Sequence, residues 1–467
     1  MAAERGRIRA SLLLGALLLW GVASAVRAAD LLDAWQAAEQ SDMDYAVARA
    51  THEAALPRRD QATALWRPTV SVSASAGIAG RETGTRGAQF SAPGSDPSYG
   101  VNFNTSITDG TAGRWSISAS QPLYAPERRA RQQLLELSVD LADLEWQAAR
   151  QSLMLRTTQR YFDFSLAAES LRVLKRQLDA VQRASIEAQD RFTLGSAPVT
   201  DTYEAGARLA GIRAQVLAAE SDVVLKRNQL ADSTGLPAAT LAARLPAGRS
   251  ASARPRPLDA WQFEALTGNP EIRIRQLATE VARREASKFD LQSSVTVDLV
   301  AQASKDRLSG SGDFGSASNR SADRMLGVQV SVPLYTGGLR SARQAEALRL
   351  ADKAAVEADR SRQQTAQQVH SAWLGLSVGA ERVQSLAEGL GASEARRDAT
   401  HLGRQVGQRT TMDVLNAEND AAAARLALVQ ARAGLLMDRL RLAALAGQLD
   451  ETMLREVNED LEPAARD

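Results

Sequence analysis

The residues best suited to chemistry lie in two short segments that follow long helical stretches. Asp201 and Asp413 each come six positions after a glycine, Gly195 and Gly407 respectively. Glycine adopts the left-handed backbone conformation with which helices commonly end. A carboxylate shortly after such a turn lies at the start of the next helix, where it interacts favourably with the helix dipole. The chemistry of these residues is therefore electrostatic, and it depends on what holds the helix ends.

Neighbouring residues favour a reversal of the chain at both segments. Ser196 can cap a helix end, Pro198 has the backbone geometry of a first helical turn, and Thr410 takes the corresponding place in the second segment. We therefore predict two helical hairpins, with Gly195, Pro198, Gly407 and Thr410 as their turn residues.

Catalytic and metal-binding chemistry has little support in the sequence. There is no cysteine, and the three histidines, His52, His370 and His401, are scattered singly. We find no phosphate-binding loop, nucleophile motif or metal-ligand spacing. We predict a protein that is not an enzyme, binds no cofactor or metal, and has its histidines on solvated helix faces. The 56 Lys+Arg against 55 Asp+Glu argue against a nucleic-acid partner.

The two turns follow unusually long helical stretches, at residues 126–194 and 339–406. Apolar residues recur there at the heptad spacing of a coiled-coil seam. In the second stretch the seam residues are Val369, Trp373, Leu376, Ala380, Val383, Ala387 and Leu390. A helix of about 68 residues rises about 100 Å, so it needs a partner along its whole length. Shorter helical stretches stacked end to end can provide that partner, at about residues 31–66, 197–234, 259–291 and 411–446.

The first residues have the pattern of an export signal. Arg5, Arg7 and Arg9 precede the apolar run ASLLLGALLLWGV, and small residues follow as far as Ala28. This pattern predicts a signal peptide over residues 1–28. A transmembrane anchor is the alternative, but the run has only about 13 residues and a spanning helix needs about 20. No later apolar stretch approaches that length, so we expect an exported chain without a transmembrane helix.

Each half of the chain also contains two segments in which apolar and small polar residues alternate. Examples are Val70-Ser71-Val72-Ser73 and Val328-Gln329-Val330-Ser331. A period of two predicts strands with one apolar and one small polar face. We expect strands of about 10 residues, the length with which a tilted strand crosses a membrane. Gly/Ser/Thr/Asn-rich loops would separate them at residues 81–112 and 304–324.

Prolines are expected to end the strands before each long helix. Pro122 and Pro333 cannot continue a β-ladder, and Tyr124 and Tyr335 follow them at the strand–helix junctions. Aromatic residues near the predicted strand ends would suit the aromatic belts of a membrane protein. These residues are Trp66, Trp115, Tyr124 and Tyr335. A soluble hairpin is the alternative, and the export signal and the small hydroxylated face favour the membrane.

The chain is a tandem duplication. The motif LDAW at Leu32–Trp35 recurs at Leu258–Trp261, and SQPLY ending at Tyr124 matches SVPLY ending at Tyr335. The matching segments keep the same order in both halves, which is typical of a repeat. The predicted organisation is signal peptide, first repeat, linker, second repeat and polar C-terminal tail, at residues 1–28, 29–235, 236–257, 258–449 and 450–467.

Four strands are too few to close a membrane barrel, because the smallest such barrels have about eight. Open strand edges cannot be left in lipid, where each unpaired backbone group costs several kcal/mol. The chain must therefore oligomerise, and a rotational assembly is the natural closed solution. Its long helices would extend the shared barrel as a hollow helical tube.

The junction and turn segments resemble those of the TolC-like outer-membrane factors. The similar segments are SQPLYAPERRAR, SVPLYTGGLRSAR, RFTLGSAPVTDTYEA and GRQVGQRTTMDVLNAEN. The resemblance covers essentially the whole mature chain. It implies an α+β membrane protein, a homotrimer with a twelve-stranded outer-membrane β-barrel, four strands per protomer, continued by a long α-helical periplasmic barrel. An inner-membrane transporter and a periplasmic adaptor would recruit its closed tip.

The resemblance also implies roles for the turn residues. Asp413 matches a position on a ring at the tunnel constriction, where three carboxylates would attract cations and raise one another's pKa. One turn later the family often has a second aspartate, and this chain has Asn416, which would weaken the ring. Thr200, Asp201 and Arg409 match positions that close the tip through hydrogen bonds and ion pairs.

Two points leave the tip gate open to another interpretation. Arg404 stands where the family frequently has a tyrosine, so the details of its latch differ. Asp201 and Asp413 can also be explained as carboxylates that only stabilise the start of their own helix.

The predicted function is an outer-membrane export channel. The absence of a cysteine for lipid anchoring favours type I protein secretion, in which the channel exports a large polypeptide, such as a repeats-in-toxin protein, with an ABC transporter and an adaptor. The first alternative is the outer-membrane channel of a tripartite small-molecule or drug efflux pump. The second is a periplasmic coiled-coil scaffold whose hairpins are soluble.

Overall fold

The computed structural model describes residues 29–247, 256–291 and 295–462. The predicted signal peptide, part of the predicted linker and the last five residues of the tail lie outside these ranges. In the described residues, two strands, a long helix and a shorter helix follow one another in the first half and again in the second. This repeated order agrees with a tandem duplication.

The chain forms two compact units. A sheet unit consists of the described residues of 55–141 and 277–355, and a helical unit contains the other described residues. Among the described helices, none combines the length and the apolar character needed to cross a bilayer.

Four antiparallel strands, hydrogen-bonded in chain order, build the sheet unit. They are β1 (Thr69–Phe90), β2 (Ser98–Tyr124), β3 (Thr296–Gly312) and β4 (Gly315–Ser331). Val70 lies opposite Ala119 and Ser71 lies opposite Ser118, so the predicted apolar and hydroxyl-bearing sides are both present. β1 and β4 are the edges of the sheet, and neither has a second strand partner in the described residues.

The strands are much longer than the sequence pattern predicted. β1 has 22 residues, β2 has 27, and β3 and β4 have 17 each. The loops expected at 81–112 and 304–324 are therefore wrong, and so is the position of Trp115 near a strand end, because it lies well inside β2. Glycine, serine and threonine are typical of loops, but ladder hydrogen bonds come from the backbone and tolerate small side chains.

β2 continues past the proline that was expected to end it. Pro122 lies opposite Asp298 of β3, and an irregularity in the register separates it from Tyr124, the last residue of β2. The pairing of β2 with β1 reaches only Ser120, so Pro122 lies at a local edge where its missing N–H is tolerated. In the second half the prediction is confirmed, because Pro333 follows the end of β4.

Ten α-helices occur in the described residues. In chain order they are α1 (Leu31–Ser41), α2 (Met43–Ala55), α3 (Pro57–Ala64), α4 (Pro126–Thr193), α5 (Val199–Thr234), α6 (Leu258–Gly268), α7 (Pro270–Leu291), α8 (Leu339–Gln405), α9 (Thr411–Leu445) and α10 (Glu451–Glu459). The long helices α4 and α8 are close to their predicted bounds. The single helices expected at 31–66 and 259–291 are broken. Asn269, for example, is extended because Pro270 follows it.

The predicted heptad seams bring the helices together in pairs. Val383 of α8 packs with Leu428 and Leu435 of α9. Val181 of α4 packs with Ile212 of α5. Each long helix therefore buries part of its apolar stripe against the helix that follows it. Other parts pack elsewhere, because Val369 clusters with Ala265 of α6 and Val181 clusters with Leu415 of α9.

The C-terminal tail contributes to the main core of the helical unit. Leu454 and Val457 of α10 are fully buried and pack with Trp35 of α1, Tyr161 of α4 and Leu440 of α9. The described part of the tail thus differs from the polar extension that the sequence suggested. Its few apolar residues are spaced so that they share one face of a short helix, while the acidic residues face away.

Candidate functional site at the helix turns

Both helix reversals use a glycine in the left-handed conformation, as predicted. The backbone φ angle is 69° at Gly195 and 78° at Gly407. The amide of Ser196 donates to the carbonyl of Arg191, and the amide of Gln408 donates to the carbonyl of Gly403, both at 2.8 Å. These bonds satisfy the last carbonyls of α4 and α8 and end both helices sharply.

At the first turn, a side chain caps the end of α4 but none caps the start of α5. The hydroxyl of Ser196 donates to the carbonyl of Arg191 at 3.0 Å, so it completes the end of α4. Pro198 is the N-cap of α5 and makes no side-chain hydrogen bond there. Pro198 is extended, with a ψ of 157°, so it precedes the first helical turn and does not form it as predicted.

The second turn has a complete capping box. The amide of Asp413 donates to the Thr410 hydroxyl oxygen at 3.1 Å, and the amide of Thr410 donates to Oδ2 of Asp413 at 2.9 Å. The Thr410 hydroxyl also donates to Oδ2, at 2.9 Å. Thr410 is therefore a helix cap, as predicted. The bonds from Thr410 lower the pKa of Asp413, and the charge of Arg409 adds to this effect. The opposite shift expected for a ring of three carboxylates stays a prediction.

The other residues of the predicted gate have few partners within one chain. Asp201 is exposed, and its Oδ1 accepts a hydrogen bond from the Thr200 hydroxyl at 3.4 Å. Arg409 is exposed as well, with its side-chain stem beside Gly403. In the described part of the chain, neither Asp201 nor Arg409 forms an ion pair. The closing contacts that the resemblance implies for these residues stay a prediction.

Two contacts near the turns instead connect the hairpins of the two halves. Arg404 of α8 forms an ion pair with Glu187 of α4. Arg208 of α5 donates to the side-chain oxygen of Asn416 on α9 at 2.8 Å. Asn416, which the resemblance assigned to the constriction, is therefore held by the neighbouring hairpin.

Glu187 and Arg208 were missed by the sequence analysis. Glu187 lies eight residues before Gly195, and Arg208 lies in the third turn of α5. Heptad spacing indicates which residues face the partner within a hairpin. It carries no information on contacts between hairpins, so no sequence signal pointed to either residue.

Two of the histidines are not simply solvated, contrary to expectation. His52 Nε2 lies 2.6 Å from an Asp143 carboxylate oxygen, and its ring stacks on Trp146 with centroids 5.0 Å apart. His401 Nε2 lies 3.0 Å from a Glu418 oxygen. His370 is exposed, as predicted. Among the described residues, no group of three or more carboxylate or histidine side chains is arranged to hold a metal ion.

The geometry of the turns supports electrostatic and mechanical roles. Carboxylates and guanidinium groups surround the helix ends, and contacts between the hairpins resist their separation. The sequence of the chain matches a known family. The sequence profile of the outer membrane efflux protein family, abbreviated OEP, matches residues 34–236 and 262–448. The chain belongs to this family.

Curated relatives of this outer membrane efflux protein cover nearly its whole length. It is 24% identical over 453 residues to outer membrane protein TolC of Escherichia coli K12. The match covers 95% of this chain and 87% of that protein. It is 27% identical over 433 residues to the alkaline protease secretion protein AprF of Pseudomonas aeruginosa, spanning 91% and 86%.

Solved structures agree with this assignment at the level of the fold. The crystal structure of outer membrane protein VceC from Vibrio cholerae matches with a TM-score of 0.68 at 17% identity, over 89% of this chain and 96% of VceC. The protein is thus a TolC-like channel protein of the outer membrane with a large periplasmic part.

Proposed function

We propose that three copies of this chain form one export channel, with a shared twelve-stranded barrel continued by a helical periplasmic tunnel. The observation that carries the proposal is the open four-stranded sheet. Its edges, β1 and β4, have no further strand partner in the described residues. Pairing β1 of one copy with β4 of the next removes every exposed edge, as lipid requires.

The two sides of the sheet differ as a channel wall needs. On one side large apolar residues are exposed, including Ile78 at 88% and Leu326 at 76%. On the other side the hydroxyls of Ser73 and Ser116 lie 2.8 Å apart. The apolar side suits lipid and the hydroxyl-bearing side suits water.

We infer that the cargo is a polypeptide, exported by type I secretion with an inner-membrane ABC transporter and a periplasmic adaptor. The relative AprF is an alkaline protease secretion protein by name, which supports this inference. The alternative cargo is a small molecule, which the description of the family as efflux proteins favours.

The helix turns form the gate of this channel in our proposal. Both hydrogen bonds that Asp413 accepts from Thr410 use Oδ2. Its Oδ1 can therefore face the lumen while the residue caps α9. Asp201 and Arg409, which lack ion pairs within the described chain, would pair with adjacent subunits. Arg404 and Asn416 would connect the hairpins inside each subunit.

Deletion of the gene tests the cargo directly. We expect a large secreted protein to disappear from the culture medium while drug sensitivity is unchanged. An unaltered set of secreted proteins together with increased drug sensitivity would favour the efflux alternative.

Electron micrographs of the detergent-purified particle test the assembly. We expect threefold rotational symmetry. A stable monomer in mild buffer, absent from washed outer membranes, would favour a soluble periplasmic scaffold and contradict the channel.

A further inference from the structure

Four basic residues lie together on one side of the sheet. Lys305 and Arg307 of β3 share a side because alternate residues of a strand point the same way. Arg320 of β4 lies directly opposite Arg307, and Arg324 lies opposite Ala303 on the same side. All four basic side chains are exposed. We refer to these four residues as the basic patch.

The register shows which side of the sheet carries the basic patch. Lys305 lies opposite Trp115 of β2, and Trp115 lies opposite Ala74 of β1. The adjacent row on this side contains Val72 and Ile117. The patch is therefore on the apolar side, which faces lipid in the proposed barrel.

Acidic residues of the same two strands lie on the other side. Asp306 and Asp323 alternate with the patch residues, and Asp306 forms an ion pair with Arg114 there. On the patch side, β3 from Val297 to Ser311 and β4 from Ser316 to Val330 carry no acidic residue. The charges of β3 and β4 are thus separated by sign across the sheet.

The patch has no counter-charge of its own. In the described part of the chain, none of its four residues forms an ion pair. β2 contributes one carboxylate to this side, that of Asp109. Its partner on β3 is Ser311, which is four residues beyond Arg307.

The pair of Arg307 and Arg320 makes the lack of an anion costly. Residues directly opposite in an antiparallel pair have Cβ atoms about 4.5–5.5 Å apart, and like charges in this arrangement are destabilising. Next to lipid, water and salt screen such a pair less than in solution. An anion bound between the two guanidinium groups would remove the repulsion.

The position of the patch along β4 indicates where that anion comes from. Leu326, Val328 and Val330 lie between the patch and the helix that follows β4, and the β3–β4 turn lies beyond the patch. If the helices are periplasmic, the turn faces the cell exterior. The order along the strand is then apolar, basic and turn, which matches a hydrocarbon layer beneath an anionic outer surface.

We propose that the basic patch binds phosphate groups of lipopolysaccharide, the phosphorylated glycolipid of the outer leaflet. This inference rests on the proposed function, which sets the orientation of the sheet. Arginine binds phosphate through two parallel hydrogen bonds, and lysine adds a point charge. Clusters of such residues at a membrane surface recognise anionic headgroups.

The test compares two double variants of the full-length, detergent-purified protein. In the first, Arg307→Gln/Arg320→Gln, the facing arginines are removed. The control, Arg213→Gln/Arg382→Gln, makes the same change in net charge at exposed positions of α5 and α8. Thermal unfolding is measured with lipopolysaccharide, with dephosphorylated lipopolysaccharide and with inorganic phosphate.

We expect lipopolysaccharide to raise the unfolding temperature of the wild type and the control, and to raise that of the first variant much less. Apparent affinity should fall roughly tenfold for each arginine removed. An equal response of the two variants would overturn the proposal. The proposal would also be overturned if dephosphorylated lipopolysaccharide, or inorganic phosphate at the same concentration, raised the unfolding temperature of the wild type as much as lipopolysaccharide does.

Channel recordings separate this proposal from the proposed function. In phosphatidylcholine bilayers without lipopolysaccharide, the first variant and the wild type should conduct equally. If neither forms channels, the channel function fails, whatever the lipid measurement gives. If both conduct but the lipid response is the same in the two variants, only the phosphate site fails.

Discussion

The guanidinium group of Arg404, at the end of α8, forms an ion pair with the Glu187 carboxylate of α4. This contact connects the hairpin of the second half to that of the first, close to both turns. Glu187 also pairs with Arg191 of its own helix at 3.1 Å. The two hairpins can move apart only if the ion pair between Arg404 and Glu187 breaks. We therefore expect this ion pair to stabilise the closed tip.

Replacing Arg404 with alanine should favour the open tip. A partly exposed ion pair contributes up to about 1 kcal/mol, so we expect up to about a fivefold shift towards the open state for each chain. Single-channel conductance in planar bilayers measures this shift. Arg397→Ala is the matched control, because Arg397 pairs with Asp398 on its own helix at 2.8 Å. Equal conductance of the two variants would contradict the latch.

Replacing Asp201 or Arg409 with alanine should also raise conductance, through contacts between subunits. Both residues are exposed and make no ion pair within the described chain, so a neighbouring subunit is the partner available to them. If Asp201 and Arg409 pair with each other between subunits, the conductance of the double variant should not exceed that of the single variant with the higher conductance. Conductance at the wild-type level in both single variants would reject this role.

Replacing Asp413 with asparagine should reduce the preference of the channel for cations. Reversal potentials in a salt gradient measure this preference. Arg409→Gln is a useful comparison, since removal of a nearby positive charge should change selectivity in the opposite direction. Reversal potentials that do not move in Asp413→Asn would exclude the carboxylate ring.

The pH dependence of cation selectivity tests which effect on the pKa of Asp413 is stronger, the hydrogen bonds from Thr410 or the repulsion between the three carboxylates of the proposed ring. Hydrogen bonds from Thr410 lower its pKa, so its charge should persist below the pH at which an ordinary aspartate becomes protonated. The pKa is lower in the folded state, so these bonds stabilise the tip above the unfolded pKa, and the effect is lost as pH falls through the folded value. Loss of selectivity above the pH at which an ordinary aspartate becomes protonated would mean that repulsion within the ring dominates.

Replacing Leu454 with alanine should destabilise the helical unit. Leu454 is fully buried in the core cluster, and such truncations cost about 2–5 kcal/mol. Thermal unfolding and protease resistance of the purified protein measure the loss. Arg455→Ala is the control on the same helix, because Arg455 is exposed and pairs with Glu451 within α10. Equal stability of the two variants would mean that the tail is dispensable.

Several features of this protein follow from the sequence alone. The heptad seam containing Val383, the turn glycines Gly195 and Gly407, and the cap at Thr410 were all predicted correctly. These features are local, because helix period and turn geometry are set by residues a few positions apart. The duplication and the family were readable for a related reason, since both lie in the order of motifs along the chain.

Other features depended on segments that are far apart in the sequence. Arg404 and Glu187 are 217 positions apart, and no local pattern links them. The lengths of the strands were underestimated because a Gly- and Ser-rich segment is a loop or a strand depending on whether a neighbour pairs with its backbone. The side of the sheet that each charge occupies, and the burial of Leu454, were likewise decided by strand register and by helix packing. Tertiary structure alone supplies those partners.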